Sequence, residues 1–290
     1  ELTVCNSLEY PTSPIYSIIK KKQTFGNHLL DFLNNHMDIN AANTILEIGG
    51  GYGFIMRDIL QKYPALNATM IDISPFLLQK QKDTLKQFNV TFLQSDFFAL
   101  ATDKLYDYSL VILNENIGDF PTIEQLSEKQ LMSNNDTVIL MVNKYIDTYS
   151  LQIPKETAGF NLNIGAIQAI EKLCQARVAN IFVSEHSCEA KIPMELRSFM
   201  SLYEEKTPEK IKLKGHDEFT IQFSHLESVA KYFNYTVVRK SYFDILPIDI
   251  TDKLRFIFTS HSSREDHEII RHFVEDLVKY EALFLIKNNK

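Results

Sequence analysis

The sequence is poor in cysteine and has no excess of positive charge. Its 290 residues include three cysteines, Cys5, Cys174 and Cys188, and no CxxC pair. Neither a disulfide framework nor a thiolate zinc site is therefore indicated, and a reducing compartment fits best. Lysine and arginine number 30 against 37 aspartate and glutamate residues, a formal net charge of −7. This balance argues against a nucleic-acid partner or an anionic lipid surface.

Long apolar runs are also missing. The best of them, 138–142, is far shorter than the ~18–20 residues of a membrane helix, so no membrane span is expected. The chain begins at Glu1 without the basic and apolar regions of a secretory signal peptide. We therefore expect a soluble, cytoplasmic protein.

Glycine is scarce, and its few occurrences are clustered. Only nine glycines are present, yet four of them lie within 49–53. The β-rich run Thr44–Ile48 precedes this cluster, and 54–60 shows the apolar spacing of a helix. The pattern predicts a strand, a glycine turn and a helix, where a ligand can approach the backbone and the first helical amides.

A second predicted strand, 68–73, carries Asp72, which lies 21 positions after Gly51. This offset is typical of an acid that binds the hydroxyls of a ribose. A third strand, 90–93, is followed by Ser95, Asp96 and Phe97. We expect Asp96 to accept a hydrogen bond from an exocyclic adenine amine and Phe97 to flank the ring.

The fourth predicted strand, 108–113, delivers Asn114 and Glu115 at its carboxyl end, where open parallel sheets hold ligands. Strands and helices thus alternate from about 44 to 113. This alternation predicts an α/β fold with a doubly wound, mostly parallel sheet.

The nucleotide could be NAD or S-adenosylmethionine, and the spacing of the glycines favours the second. A dinucleotide fingerprint is GxGxxG, whereas this chain has glycine at 49, 51 and 53, followed by the bulky Phe54. Glu47 is a poor neighbour for a diphosphate but suits a ligand that carries an ammonium and a sulfonium.

The segment 46–53, LEIGGGYG, resembles motif I of class I S-adenosylmethionine-dependent methyltransferases. Within that superfamily the chain resembles the MidA-like branch, which includes the mitochondrial complex I assembly arginine methyltransferase. The segments that carry this closer resemblance are 10–14, 73–75 with Gln79 and Gln81, Asn114 and Glu115 with Pro121, and 215–220 followed by 223–226. Departures from the branch occur at Gly50, Tyr52, Gly118 and the pair Glu185 and His186.

The resemblance implies a seven-stranded Rossmann-like domain that transfers a methyl group from S-adenosylmethionine, leaving S-adenosylhomocysteine, to the arginine side chain of a protein. A small-molecule O- or N-methyltransferase and a non-catalytic S-adenosylmethionine-binding assembly factor remain alternatives. The mitochondrial matrix is an alternative location. The oligomeric state stays open.

We expect a helical segment at 1–40, including a helix at 15–37, and a methyltransferase domain at 41–290. Substrate-side insertions are expected at about 116–165 and 187–234, with a strand over 136–149. A fifth sheet strand is predicted at 178–183, a helix at 264–280 and an antiparallel strand at 282–286.

The candidate residues fall into two groups. The expected cofactor-binding residues are Thr12, Glu47, Gly49, Gly51, Gly53, Asp72, Ile73, Ser95, Asp96, Phe97, Asn114 and Glu115. The catalytic candidates are Glu115, Asp217 and His186. No metal site is predicted, because His267 and His272 are five positions apart and leave different faces of a helix.

Overall fold

The computed structural model describes residues 4–133, 135–154, 159–202, 207–213, 215–260 and 262–288. Small parts of both expected insertions, at 134, 155–158, 203–206 and 214, lie outside the described residues. Within the described ranges, none of the helices combines the length and apolar character that crossing a membrane requires.

The described chain alternates strands with helices. The strands are β1 (Thr44–Ile48), β2 (Asn67–Asp72), β3 (Val90–Gln94), β4 (Leu110–Asn114), β5 (Ile123–Leu126), β6 (Phe160–Leu162), β7 (Asn180–His186), β8 (Lys210–Lys212), β9 (Asp217–Phe219), β10 (Tyr235–Ser241) and β11 (Tyr280–Lys287). The helices are α1 (Val4–Ser7), α2 (Phe25–Asn34), α3 (Phe54–Lys62), α4 (Pro75–Thr84), α5 (Glu128–Leu131), α6 (Thr137–Tyr149), α7 (Ile164–Gln175), α8 (Phe223–Tyr232), α9 (Tyr242–Ile245), α10 (Asp252–Thr259) and α11 (Glu265–Lys279).

Seven of the strands form one sheet in the order β10-β11-β7-β4-β1-β2-β3. The pairs from β7 to β3 are parallel, whereas β11 runs antiparallel to both β7 and β10. The α/β fold class and the mostly parallel seven-stranded sheet are thus confirmed. The parallel strands bring their carboxyl ends to one edge of the sheet, where the predicted ligand residues follow them.

Both faces of the sheet are buried, which explains why its central strands are almost entirely apolar. In β4, Ile112 belongs to the hydrophobic cluster that includes α2, α3 and α11, while Val111 and Leu113 belong to the cluster that includes α7 and α8. Alternate side chains of one strand therefore pack into two separate layers of core.

The expected strand over 136–149 is wrong, because the structure has the helix α6 there. The Asp136 side chain accepts hydrogen bonds from the backbone amides of Val138 and Ile139, 2.8 and 3.4 Å away, and so caps the helix. Ile139, Val142 and Tyr149 are its buried residues. The β-branched, apolar run suggested a strand, but its contacts lie on one face of a helix.

The N-terminal segment shares the core of the sheet. Instead of one helix over 15–37, the structure has a short 3-10 helix at Pro14–Ser17 and α2. Phe25 is fully buried, and its ring lies 5.2 Å from that of Tyr242. Ile15, Leu29 and other residues within 4–40 belong to the same hydrophobic cluster as residues of the central sheet.

Each expected insertion contributes a small sheet. β5 pairs with β6 and β8 pairs with β9, both antiparallel. The hairpin of β8 and β9 is fixed beside the end of β7, because the amide of Ile221 donates to the carbonyl of His186 at 2.7 Å. This contact brings the hairpin to the carboxyl edge of the sheet.

We predict that Phe25→Ala destabilises the whole domain by about 3–5 kcal/mol, because it removes a buried aromatic ring from the shared core. Phe256→Ala, at a side chain that is 55% exposed, should change the stability by less than about 0.5 kcal/mol. Urea unfolding measured by circular dichroism tests both. An independent first transition for the N-terminal segment would contradict the shared core.

Candidate active site

Two adjoining cavities lie past the carboxyl ends of β1, β2 and β4. Their volumes are about 240 and 610 Å³. Gly49, Gly51, Leu77 and Glu115 line both, so the glycine turn and the residue after β4 stand between them. The smaller cavity is also bordered by α1, and the larger one extends from the end of β3 to the hairpin of β8 and β9.

The glycine turn exposes its backbone to these cavities. Gly49 and Gly51 have φ angles of +61° and +52°, a region that side chains rarely adopt. A Cβ on Gly51 would meet no atom within 4 Å, so this residue faces open space. Gly53, with φ +79°, begins α3 and packs against Gln81 instead of lining either cavity.

Glu47 lines the smaller cavity, and one oxygen of its buried carboxyl group is unpaired. The residue is 1% exposed, and its Oε2 atom has no hydrogen-bond partner among the described residues. Burial raises the pKa of Glu47 to about 8, although a hydrogen bond from the amide of Met56 opposes the shift. A buried carboxyl at a cavity wall is completed by a positively charged ligand group.

Asp72 is held firmly at the end of β2. Its Oδ1 accepts from the amide of Ser74 at 2.9 Å, and its Oδ2 accepts from Nε2 of Gln81 at 2.8 Å. The same Gln81 nitrogen donates to the carbonyl of Gly51 at 3.1 Å. Burial raises the pKa of Asp72, and these two bonds counter it. Gln81 thus connects the acid with the glycine turn, a positioning role that the sequence pattern did not reveal.

The remaining expected nucleoside residues gather around the larger cavity. The amide of Ser95 donates to the carbonyl of Asp72 at 3.1 Å, which joins the ends of β2 and β3. Asp96 is exposed and caps a short 3-10 helix by accepting from the amide of Phe98 at 2.8 Å. Phe97 is buried, while Ile73 is 70% exposed. The expected residues Asp72, Ile73, Ser95, Asp96 and Phe97 all line the larger cavity, and so does Phe98, which was not expected there.

Asn114 and Glu115 form the centre of a polar network after β4. Asn114 donates to Oε1 of Glu115 at 3.2 Å and accepts from the hydroxyls of Ser184 and Tyr242 at 3.0 and 2.8 Å. The Tyr280 hydroxyl donates to Oε2 of Glu115 at 3.4 Å. Glu115 has a φ of +53°, and burial raises its pKa to about 7. Its environment is that of a group able to exchange a proton near neutral pH.

Besides Gly53, three expected site residues do not line these cavities. Thr12 is exposed at the surface. Asp217 is exposed too, with Oδ2 3.6 Å from Nζ of Lys210. The ring of His186 lies 3.9 Å from that of Tyr280. In the hairpin it is the neighbours of Asp217, His216 and Glu218, that line the larger cavity.

Several lining residues were missed by the sequence reasoning. Cys5 and Asn6 of α1 line the smaller cavity, and Asp119 and Glu185 line the larger one. Nothing in the local sequence of α1 signals a site. Glu185 follows the predicted fifth strand and was therefore expected at the ligand edge, but it was not among the candidate site residues.

Comparison with known proteins shows what this core is similar to. Residues 45–128 match the family model described as "Methyltransferase domain". These residues are therefore similar to a class I methyltransferase domain. The domain spans β1 to β5 and includes the glycine turn, Asp72 and Glu115.

The chain also matches curated proteins at low identity. It is 28% identical over 165 residues to a malonyl-[acyl-carrier protein] O-methyltransferase of Acetivibrio thermocellus, an alignment that covers 56% of each chain. It is 24% identical over 133 residues to "Probable inactive O-methyltransferase 11" of Dictyostelium discoideum, with 43% of this chain and 40% of the relative covered. The chain spans about half the length of the curated relatives it matches. The chain is 12% identical to a solved plantazolicin methyltransferase in complex with SAH. The TM-score is 0.47, and the alignment covers 99% of this chain and 94% of that chain.

The cofactor of this class is S-adenosylmethionine, and the residues present fit it. The unpaired Oε2 of Glu47 is suited to the ammonium of a methionine group. Asp72 is suited to ribose hydroxyls, and Asp96 and Phe97 to an adenine. Gly51 leaves open space where the ligand would approach the backbone.

Asp72→Asn should weaken S-adenosylhomocysteine binding at least tenfold, because hydrogen bonds to a charged acceptor contribute about 1.5–3 kcal/mol each. Asp83→Asn is the matched control, since Asp83 lies on the exposed side of α4. Calorimetric titration measures both. Unchanged affinity in Asp72→Asn would place the adenosine elsewhere.

Binding of S-adenosylhomocysteine at pH 7 should release up to about one proton per ligand. The pKa of Glu47 is about 8, so its carboxyl is mostly protonated at pH 7, and an ammonium partner favours the ionised form. The release should fade as the pH rises above 8. Titrations in buffers of different ionisation enthalpy measure it, and Glu47→Gln should abolish most of it. Equal release in the variant would assign the proton to another group.

Proposed function

We propose that this protein transfers a methyl group from S-adenosylmethionine to a nitrogen atom of a cationic acceptor, with an arginine side chain of a protein as the acceptor that fits best. The charge of the larger cavity carries this proposal. Its acceptor side is lined by Glu115, Asp119, Glu185 and Glu218, and no lysine or arginine is among the described lining residues. Such a wall attracts a guanidinium or an ammonium and repels an anion.

The residues that would hold the cofactor are those around the glycine turn and Asp72. Bound S-adenosylmethionine supplies an electrophilic methyl group on a sulfonium. The chain must then hold the acceptor nitrogen in line with that group, which is worth up to ~7–11 kcal/mol as effective concentration. The rigid ends of β1, β2 and β4 support both partners from one sheet edge.

Glu115 is the catalytic residue of this proposal. A free guanidinium has a pKa above 12 and is a poor nucleophile, so a carboxylate beside it must orient one nitrogen and favour the loss of its proton. Glu115 is set between the two cavities, and its carboxyl is oriented by Asn114 and Tyr280. A cation bound against it would lower its pKa and keep it ionised.

Methylation of an acceptor oxygen is the second candidate, supported by the similarity to malonyl-[acyl-carrier protein] O-methyltransferases. A carboxylate acceptor would meet four acidic side chains on the acceptor side of the larger cavity, and this repulsion favours the nitrogen acceptor. A third candidate is a protein that binds S-adenosylmethionine without transferring its methyl group. For the acceptor itself, a small cationic molecule fits the cavity as well as a protein side chain does.

Membership of the MidA-like branch and a reducing location are also part of this proposal. The segment 215–220 carries the most distinctive resemblance, and its residues His216 and Glu218 line the larger cavity. Cys5, Cys174 and Cys188, all of which are described, form no disulfide, which suits the cytoplasm and the mitochondrial matrix alike.

Glu115→Gln should lower the rate of methyl transfer at least a hundredfold while changing S-adenosylhomocysteine affinity less than threefold, because general acid–base groups typically contribute about 10²–10⁴ in rate. Single-turnover transfer from labelled S-adenosylmethionine to arginine-containing peptides measures the rate, and calorimetry measures the affinity. In the unsubstituted protein kcat/KM should rise with pH through about 7, where Glu115 ionises. Equal loss of rate and affinity would make Glu115 a cofactor ligand.

A further inference from the structure

A second cluster of ligand-type side chains lies at the end of β7, beyond the residues expected to hold the cofactor. It comprises Glu185 and His186 on β7 and Glu218 on β9. One ligand atom from each lies within 4.8 Å of the other two. We propose that these three residues form a binding site for one divalent transition-metal ion.

The ring nitrogen Nδ1 of His186 is the first observation that points to an ion. This atom is buried and has no hydrogen-bond partner among the described residues. The nearest acidic oxygens are Oε1 of Glu185 at 3.7 Å and Oε1 of Glu218 at 3.6 Å. Both distances are too long for hydrogen bonds. The nitrogen therefore faces two acidic groups without bonding to either.

These separations suit ligands of a common ion. Two ligand atoms that each lie about 2.1 Å from a tetrahedral ion are about 3.4 Å apart. The observed 3.6 and 3.7 Å are close to this value. A small adjustment of the side chains would place all three ligand atoms around one metal.

The charge of the cluster is the second observation. Glu185 is 2% exposed, so its carboxyl group is shielded from water beside the acidic group of Glu218. The nearby Lys210 does not relieve this, because its Nζ lies 2.8 Å from Glu124 and 3.6 Å from Asp217. A divalent ion would compensate the acidic groups of Glu185 and Glu218, with which no lysine or arginine among the described residues forms an ion pair.

The supporting bonds are those of a prepared ligand set. The two oxygens of Glu185 accept from the amides of Gly118 and His186, at 3.2 and 2.9 Å, which fixes the carboxyl. The His186 ring stacks on Tyr280. One imidazole and two carboxyl groups favour Zn²⁺, Mn²⁺ or Fe²⁺ over Mg²⁺ and Ca²⁺, which prefer oxygen alone.

The ion would lie at the wall of the larger cavity, since Glu185 and Glu218 line it. Asp119 and His216 are next to it, with Oδ1 and Nε2 3.3 Å apart, and form a ligand-type group with the same Glu218. A metal here could hold an oxygen of the acceptor molecule. Glu185 and Glu218 also belong to the acidic wall of the proposed acceptor site, so the test of the ion does not use catalytic activity.

The test is ion uptake by the full chain after treatment with a chelator. Mn²⁺ binding is measured by electron paramagnetic resonance, and Zn²⁺ binding by calorimetry. We expect one ion per chain, with binding at least tenfold weaker in Glu218→Gln and in His186→Phe. The phenylalanine retains a ring against Tyr280. Asp217→Asn, on the same hairpin, is the matched control and should bind as the unsubstituted protein does.

Circular dichroism and S-adenosylhomocysteine binding show that each variant is folded. No uptake of either ion, or equal uptake by Glu218→Gln and the unsubstituted protein, would overturn the proposal. The competing explanation is that the cluster binds a cationic acceptor, and methylguanidine is the probe for it. If it binds to the unsubstituted protein and not to Glu218→Gln, in the absence of ion uptake, then the cluster binds a cationic acceptor and the metal assignment is wrong.

Discussion

The burial of acidic groups at the carboxyl edge of the sheet is the constraint on which the site depends. Glu47, Asp72 and Glu185 are each less than 5% exposed, and each is carried by a strand too apolar to leave the core. Burial raises the pKa of all three, because a carboxylate loses hydration there. Such groups are stable only when they are protonated, hydrogen-bonded or paired with a cation. Protonation and hydrogen bonding stabilise these groups in the protein alone, and a ligand supplies the cation.

The surrounding structure orients these acids more than it neutralises them. Backbone amides hold Asp72 and Glu185, and Gln81 joins Asp72 to the glycine turn. The ring of Tyr280 lies between those of His186 and Tyr242, with centroids 3.9 and 5.0 Å away. The Tyr280 hydroxyl donates to Glu115, and the Tyr242 hydroxyl donates to Asn114. Oriented acidic groups with few internal cations form a site that is complete only with a positively charged ligand, whether an ammonium, a guanidinium or a metal ion.

The fold was predictable because it rests on local patterns. Each useful pattern indicates one strand or turn: the four glycines at 49–53, the apolar run ending at Asn114, and the offset between Gly51 and Asp72. The structure has these elements where they were expected. The strand expected over 136–149 was wrong because an apolar, β-branched run does not distinguish a strand from a helix face. Glu185 and Glu218 are 33 positions apart in the sequence and meet only through the pairing beside β7, so no spacing could reveal their cluster. Thr12 was expected at the site from family resemblance alone, and the structure places it at the surface.

The identity of the cofactor is the claim on which the rest of this account depends. Calorimetric titration of S-adenosylmethionine, S-adenosylhomocysteine and NAD into the purified chain tests it directly, once any co-purified small molecule has been identified by mass spectrometry. We predict micromolar binding of the two sulfur compounds and no binding of NAD, because Glu47 disfavours a diphosphate and Phe54 replaces the small residue of a dinucleotide turn. Tight binding of NAD, or failure of both sulfur compounds to bind, would contradict it.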